Sequence, residues 1–202
     1  EASNPVNTQN MHALWGDDAS GVWSVGDAGI TLRNMTGGWV TETHAGIVAL
    51  HGVWGTSDGT AHWAAGRVNA ELGQSYGYAG ASAQWVPSGG LTVGALRAVH
   101  GSGGNNVWMV GEKGAIQHWD GARWQSDTMG LQNDLRSVWG VDERHIWAVG
   151  SGGAILFFDG GGWRTQDSGV IMDLFGVGGS GPSDGWAAGV GGTAVPWAGS
   201  RR

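Results

Sequence analysis

Four side chains that can carry a positive charge occupy one recurring place in the sequence, directly after a leucine or methionine that opens an apolar run. They are His12, His51, Arg97 and Arg136, and a fifth run has Phe175 at the same place. Two guanidinium groups and two imidazoles could together bind an anion such as a carboxylate or sulfate, since arginine offers paired donors in a fixed fork. Asp134 and Asp173 lie just before two of the leucines. The pattern therefore predicts either an anion-binding cluster or one whose arginines are neutralised within the protein.

A second group of candidate binding residues lies in the stretch RVNAELGQSYGYAGASAQW, from Arg67 to Trp85. It contains an insertion and the only two tyrosines of the chain, Tyr76 and Tyr78. We expect the extra residues to form a loop on the same side of the molecule as the histidines and arginines. Loops on a rigid scaffold often carry binding residues, and tyrosine is favoured in recognition surfaces. The alternative is an insertion without a function.

Sequence motifs for catalysis are absent. The chain has no G-x-S-x-G, Walker or H-E-x-x-H motif. A sialidase-like mechanism needs an arginine cluster, a tyrosine nucleophile and acidic partners. Residues of these types are present as Arg97, Arg136, Tyr76 and Glu71, but nothing in the sequence fixes their spacing. Seven histidines without ligand spacing argue against a metal site. We therefore expect no catalytic residues, no metal and no cofactor.

The composition indicates a folded protein that does not bind nucleic acid. The chain has 202 residues, of which 41 are glycine and 14 are tryptophan. A chain of this length can bury its own core, and so much apolar surface excludes a disordered segment. The net charge is −7 with only ten lysines and arginines, which argues against phosphate contacts. No apolar run approaches the ~18 residues of a membrane helix, so we expect one domain that does not span a membrane.

The candidate residues are positioned by a repeat that runs through the whole chain. The segment LRSVWG from Leu135 recurs as MHALWG, LHGVWG, LRAVHG and LFGVGG, whose closing glycines are 39, 46, 39 and 39 residues apart. Each first run is followed by a second such as IWAVG, a third that begins at glycine and, in four units, a fourth that begins with tryptophan. These runs are rich in valine, isoleucine and tryptophan and are bounded by turn residues, which is typical of antiparallel strands.

Four short strands in each unit of about 40 residues predict a β-propeller. We expect an all-β fold of five blades with four antiparallel strands each, in one domain over residues 1–202. The predicted blades cover residues 11–43, 50–87, 96–128, 135–167 and 174–202. Residues 1–8 would supply the outer strand of the fifth blade and close the ring, which would remove exposed sheet edges. All 14 tryptophans fall at repeat positions, so we expect them to pack blades together.

The repeat also locates the charged residues. The third residue of each first strand is small, as expected where innermost strands crowd around a central axis; these residues are Ala13, Gly52, Ala98, Ser137 and Gly176. The residues that directly precede them are His12, His51, Arg97, Arg136 and Phe175. These five residues should therefore surround one mouth of the central channel.

Written as L-x-x-V-W-G, then W-A-V-G, G-x-I-L and D-G-x-x-W, the repeat resembles the propeller repeats of the photosystem II assembly factor family and the related BNR (sialidase-type) repeats. The resemblance covers essentially the whole chain and is strongest from Leu96 to Trp124 and from Leu135 to Trp163. It implies a propeller that acts as a scaffold docked on a larger complex, which could be bound to a membrane.

Three functions follow from these expectations. The first is a non-catalytic, lectin-like module that binds glycan or another anionic ligand on its loop face, through Arg67, Tyr76, Tyr78, His12, His51, Arg97 and Arg136. The alternative is a scaffold or assembly subunit with a protein partner, and the second alternative is a glycosidase. The first residue is Glu1, so a cleaved signal would make the protein secreted, periplasmic or exposed at the cell surface. The sequence leaves the oligomeric state open.

Overall fold

The computed structural model describes residues 9–18, 21–35, 38–79, 84–127 and 129–198. Within these ranges the chain forms twenty β-strands in five sheets, three single turns of 3₁₀-helix and no α-helix. Nothing in these ranges is a helix with the length and apolar character that crossing a membrane requires. The all-β prediction is confirmed, and the five sheets are those expected of propeller blades.

Within each sheet the strands are antiparallel and follow chain order, and we call the sheets blades 1 to 5. Blade 1 consists of β1 (Met11–Asp17), β2 (Gly21–Gly26), β3 (Ile30–Met35) and β4 (Gly38–Thr43). Blade 2 consists of β5 (Ala49–Gly55), β6 (His62–Arg67), β7 (Leu72–Ala79) and β8 (Gln84–Pro87), with the short β9 (Thr92–Val93) paired to β7.

The other three blades share a 3₁₀ turn between their second and third strands. Blade 3 consists of β10 (Leu96–Gly103), β11 (Asn106–Gly111), β12 (Ile116–Trp119) and β13 (Trp124–Asp127), with its turn at Glu112–Gly114. Blade 4 consists of β14 (Leu135–Asp142), β15 (His145–Gly150), β16 (Ile155–Phe158) and β17 (Trp163–Gln166), with its turn at Ser151–Gly153. Blade 5 consists of β18 (Leu174–Gly181), β19 (Asp184–Gly189) and β20 (Ala194–Ala198), with its turn at Val190–Gly192. The fourth strand predicted from residues 1–8 lies outside the described residues.

The core lies between consecutive blades. The first strands are neighbours in the order β1, β5, β10, β14 and β18, and each of four hydrophobic clusters joins one blade to the next. Between blades 4 and 5, for example, Trp147 and Val149 pack with Leu174 and Ala187. The predicted packing role is confirmed for six tryptophans that are at most 8% exposed: Trp23, Trp63, Trp85, Trp108, Trp147 and Trp163. In the described part of the chain no such cluster joins blade 5 to blade 1, so the closed five-bladed ring stays a prediction.

Each first strand has a β-bulge at the residue that follows its leading leucine or methionine. In blade 4, Leu135 pairs with Gly150 while Ser137 pairs with Val149, which leaves Arg136 as the extra residue, and the other four blades show the same shift. A bulge brings two backbones close together at one point. A Cβ atom on Gly150 would lie 1.9 Å from the carbonyl oxygen of Asp134, so only glycine fits there. The small residue that follows the bulge was expected to let innermost strands approach each other closely. This is observed at Gly52, where an added Cβ would lie 3.1 Å from Cα of Ala98.

The extra residues of blade 2 lengthen a hairpin and do not form the expected tyrosine-bearing loop. Ala65 pairs with Ser75, whereas the equivalent Val110 of blade 3 pairs with Ile116, so the β6–β7 hairpin extends further than its counterparts. Tyr76 and Tyr78 lie within β7. Their alternation with Ser75 and Gly77 is the period of a strand, and it places them against neighbouring blades rather than in a mobile loop.

Candidate functional site at the channel mouth

Two rings of side chains meet at one end of the first strands, and we call this region the mouth. The inner ring consists of the bulged residues, and the second ring consists of the residue after the glycine that closes each second strand. The mouth residues are His12, His51, Arg97, Arg136 and Phe175, with Asp27, Arg67, Glu112, Ser151 and Val190. Because a bulge turns its side chain out of the regular alternation of a strand, it can aim these five residues at the axis.

On blade 1 a histidine and a carboxylate form a pair. Nε2 of His12 lies 2.7 Å from Oδ1 of Asp27, and Nδ2 of Asn10 donates a hydrogen bond of 3.0 Å to Oδ2. These hydrogen bonds, first from His12 and then from Asn10, lower the pKa of Asp27. Asp27 therefore stays ionised at the mouth, where it offsets positive charge.

His51 of blade 2 is held neutral by its surroundings. Its ring lies 5.1 Å from the ring of His12, and its Nε2 atom is buried without a hydrogen-bond partner. Burial lowers the pKa of His51 to about 4, and the nearby charges of Arg97, His12 and Arg67 act in the same direction. At neutral pH His51 can accept or donate a hydrogen bond but adds no charge to the mouth.

The arginines of blades 3 and 4 are both neutralised within the protein. Arg97 forms an ion pair with Glu112, which also accepts a hydrogen bond of 3.0 Å from the backbone N–H of Ala95. Burial alone would raise the pKa of Glu112, but these hydrogen bonds outweigh it and lower the pKa. Arg136 lies 3.2 Å from Asp173 of blade 5.

The sequence-based alternative of internal neutralisation is thus observed for Asp173 and Arg136. Asp134 does not serve this purpose, since its Oδ1 atom accepts a hydrogen bond of 3.0 Å from the backbone N–H of Lys113. The residues that sequence reasoning missed are the acids of the second ring, Asp27 and Glu112. They could have been found by aligning the residue that follows each W-A-V-G motif, because all of them occupy this position.

Arg67 differs from the other two arginines of the mouth. Within the described residues its guanidinium forms no ion pair, whereas Arg97 and Arg136 each form one. Its Nε atom is buried without a hydrogen-bond partner, as is that of Arg136. Its charge lowers the pKa values of both His51 and Glu112, which places it near these two residues. An unpaired guanidinium that retains a fork of donors is well suited to a carboxylate ligand.

The two tyrosines do not belong to this site. Tyr76 is 1% exposed in the core between blades 1 and 2, and burial raises the pKa of its hydroxyl to about 12. The expectation that Tyr76 contacts a ligand from an exposed loop is corrected by this burial. The half-buried hydroxyl of Tyr78 donates to Glu42 at 3.2 Å and accepts from Arg33 at 3.4 Å, so it links the outer strands of blades 1 and 2.

A second concave surface lies on the outer side of blades 4 and 5, as a groove of about 770 Å³. Its lining includes Trp147, Phe157 and Trp197, and the two indole rings stack at a centroid distance of 5.0 Å. An ion pair of 2.6 Å between Arg164 and Asp159 lies at the rim.

Comparisons with known proteins bear on the fold. No protein-family model matches the chain, and no curated protein matches its sequence significantly. The structure of YCF48 from Cyanidioschyzon merolae superimposes with a TM-score of 0.70 at 16% identity, over 97% of this chain and 71% of that one. A structure of YCF48 bound to D1 peptide superimposes with a TM-score of 0.70 at 15% identity, over 98% of this chain and 66% of that one. The structure of the WD40 repeats of RRP9 superimposes with a TM-score of 0.76 at 12% identity, over 96% of this chain and 62% of that one.

At these identities the likeness concerns the fold alone. The chain spans between 62% and 71% of the lengths of these proteins. The matches agree with the resemblance to the assembly-factor repeats, while the resemblance to BNR repeats stays a prediction. The chain is a β-propeller repeat protein with a charged mouth and an aromatic outer groove.

Proposed function

We propose that the chain is a non-catalytic protein-binding module, a scaffold or assembly subunit, whose mouth takes a carboxylate group of a polypeptide partner. The observation that carries the proposal is that Arg67 is the mouth arginine without an ion pair in the described residues, whereas Arg97 and Arg136 are paired. Since Glu112 and Asp173 already occupy Arg97 and Arg136, Arg67 is the residue that offers charge to a ligand. The neutral ring of His51 beside it adds a hydrogen-bonding group without repelling an anion.

The fold supports a protein partner. Propellers of this shape include YCF48, which has been seen bound to a peptide called D1, and a set of rigidly packed blades offers a wide surface at little cost in ordering entropy. Docking on a membrane complex and a secreted, periplasmic or cell-surface location remain hypotheses that accompany this proposal.

Glycan binding, the first expectation from the sequence, receives less support. Sugar rings stack on exposed aromatic faces. Tyr76 is buried and Tyr78 is held between Arg33 and Glu42, so neither offers such a face. At the mouth the exposed ring is that of Phe175, and the guanidinium of Arg136 already lies over it at 5.3 Å.

The test compares binding to synthetic peptides that differ only in charge. Peptides with a free C-terminal carboxylate or with glutamate residues are compared with their amidated and glutamine counterparts, using wild-type protein and an Arg67→Gln variant. We expect the variant to bind the acidic peptides about tenfold to a hundredfold more weakly, since a hydrogen-bonded charge contributes about 1.5–3 kcal/mol.

The control is Arg123→Gln, because the Arg123 side chain is 77% exposed on the outer edge of blade 3. It should leave peptide binding unchanged. Equal binding of acidic and amidated peptides, or unaltered affinity of Arg67→Gln, would contradict the proposal. A glycan array run on the same samples decides whether sugars are ligands instead.

A further inference from the structure

In blades 1 and 3 the bulged residue of the first strand contacts the residue that follows the second strand of the same blade. In blade 1, Nε2 of His12 lies 2.7 Å from Oδ1 of Asp27. In blade 3, Arg97 forms an ion pair with Glu112. In both blades the bulged residue supplies a base and the other residue supplies a carboxylate. These two positions therefore lie within direct reach of each other and hold groups that attract.

Blade 2 has the same two positions in the same register, but neither of them holds an acid. Leu50 pairs with Gly66, so the bulged residue is His51 and the residue after the second strand is Arg67. The Nε2 atom of His51 is buried without a hydrogen-bond partner, whereas buried polar atoms in proteins usually have one. A carboxylate supplied by a ligand would stand where blades 1 and 3 supply their own.

The charged groups around His51 come from four neighbouring elements. No other residue of β5 titrates. The groups that act on the imidazole are Arg97 of β10, His12 of β1, Arg67 of β6 and Asp27 directly after β2. The acids among the neighbours are already bonded, Asp27 to His12 and Glu112 to Arg97. Burial first, and then the cationic neighbours, lower the pKa of His51 to about 4, so the imidazole is neutral in the free protein at neutral pH.

We propose that His51 and Arg67 bind the ligand carboxylate together, and that the His51 imidazole takes a proton from the solvent as the carboxylate binds. The inference rests on the proposed function, since it concerns the same ligand group. The negative charge of the ligand offsets the guanidinium groups that oppose protonation of His51. An imidazolium N–H can also donate a charge-assisted hydrogen bond to the carboxylate, which is stronger than a bond from the neutral ring.

Proton uptake makes the affinity for the ligand depend on pH. A carboxylate that raises the pKa of His51 binds more tightly at any pH where the bound protein carries this proton and the free protein does not. The affinity should therefore rise as the pH falls from about 7 to about 5. We expect a gain of about tenfold, which is at the lower end of what a neighbouring opposite charge contributes to a pKa.

The test measures binding of an N-acetylated peptide whose C-terminal carboxylate is its only charge, at pH values of about 7 and about 5. This carboxylate is ionised at both, since its ordinary pKa is about 3.5. Wild-type protein should show the tenfold gain, and a His51→Gln variant should lose it. The matched control is His145→Gln, which removes a histidine that bonds to Asp142 in blade 4, and it should keep the gain.

Two further measurements follow the proton itself. In NMR titrations of the wild-type protein, the His51 ring should protonate at a higher pH with saturating peptide than without it. Calorimetry at a pH of about 5.5, in two buffers with different enthalpies of ionisation, should show that binding takes up as much as about one proton in the wild type and less in His51→Gln.

The outcomes separate this proposal from the proposed function. Binding that requires Arg67 but is equally tight at both pH values, with an unchanged titration of His51, would overturn proton uptake and leave carboxylate binding intact. An equal gain in His51→Gln and the wild type would assign the proton to another group and would also overturn it. If the carboxylate peptide does not bind, or binds no better than its amidated counterpart, both proposals are wrong.

Discussion

His51 and His100 occupy sites that oppose protonation. His100 follows Val99 in β10, beside the ring of Trp54 at 5.9 Å, and burial lowers its pKa to about 4. The pKa of His51 at the mouth is also lowered to about 4, first by burial and then by its cationic neighbours. Both positions were visible as variable places in the repeat, where other blades have arginine, phenylalanine or tryptophan. Their charge states could not be predicted, because burial and, for His51, the proximity of Arg97 on blade 3 depend on how separate blades meet.

These two histidines should make the protein less stable in acid. A folded pKa of about 4 lies below the ordinary value of 6.5, so between these values the unfolded chain binds protons that the folded chain does not. The free energy of unfolding therefore falls as the pH drops from about 6.5 to about 4.

Urea denaturation at a series of pH values measures this decline. A His100→Gln variant should show a shallower decline between these pH values than the wild type, because one of the histidines with a lowered pKa no longer titrates. A decline of the same steepness in the variant would show that His100 does not contribute. Stability at neutral pH provides the reference, since both histidines are then neutral in the folded protein.

The unit that positions the mouth is the pairing of a bulged first strand with the glycine that ends the second strand. The sequence pattern predicted four strands in each of blades 1 to 4 and the first three strands of blade 5, all of which are observed, because the alternation and the turn residues are local signals; it did not predict the short β9. The bulge was not predictable, since it needs two strands to be compared in register. Its trace in the sequence is the constant glycine of W-A-V-G, which occurs in all five blades as Gly26, Gly66, Gly111, Gly150 and Gly189.

Replacing one of these glycines should therefore disturb the blade. In Gly150→Ala the new methyl group would lie within 2 Å of a backbone oxygen that belongs to the bulge, at Asp134, and the backbone has to move. We expect a loss of about 2–4 kcal/mol, in the range of severe overpacking in a core. The matched control is Gly162→Ala, where an added Cβ meets nothing within 4 Å.

The control should change stability by no more than about 0.5 kcal/mol. Chemical denaturation of both variants gives the comparison. Equal stability of Gly150→Ala and Gly162→Ala would show that the close approach at the bulge is not required. The lengthened hairpin of blade 2 illustrates the opposite case, in which extra residues are accommodated because they extend an existing pair of strands.

At the scale of the whole molecule, stability depends on contacts between neighbouring blades, as in other repeat proteins. The number of units and their spacing could be counted in the sequence, and five sheets are observed. Closure of the ring could not be decided in the same way, because it depends on the angle between blades. That angle is set by packing at residues such as Trp147 and Leu174, whose pattern is the same in rings of different size. Residues 1–8, which the closure hypothesis assigns to blade 5, lie outside the described residues.

Hydrogen exchange followed by mass spectrometry tests the closure hypothesis. If residues 1–8 complete blade 5 and close the ring, the amides of β19 should be about as well protected as those of β15 in the full chain. In a variant without residues 1–8 the amides of β19 should then exchange about tenfold faster or more, since Trp186 would lack the cover that Trp147 has and one buried large side chain contributes about 1.5–3 kcal/mol. Equal exchange of β19 in the two proteins would contradict closure by these residues.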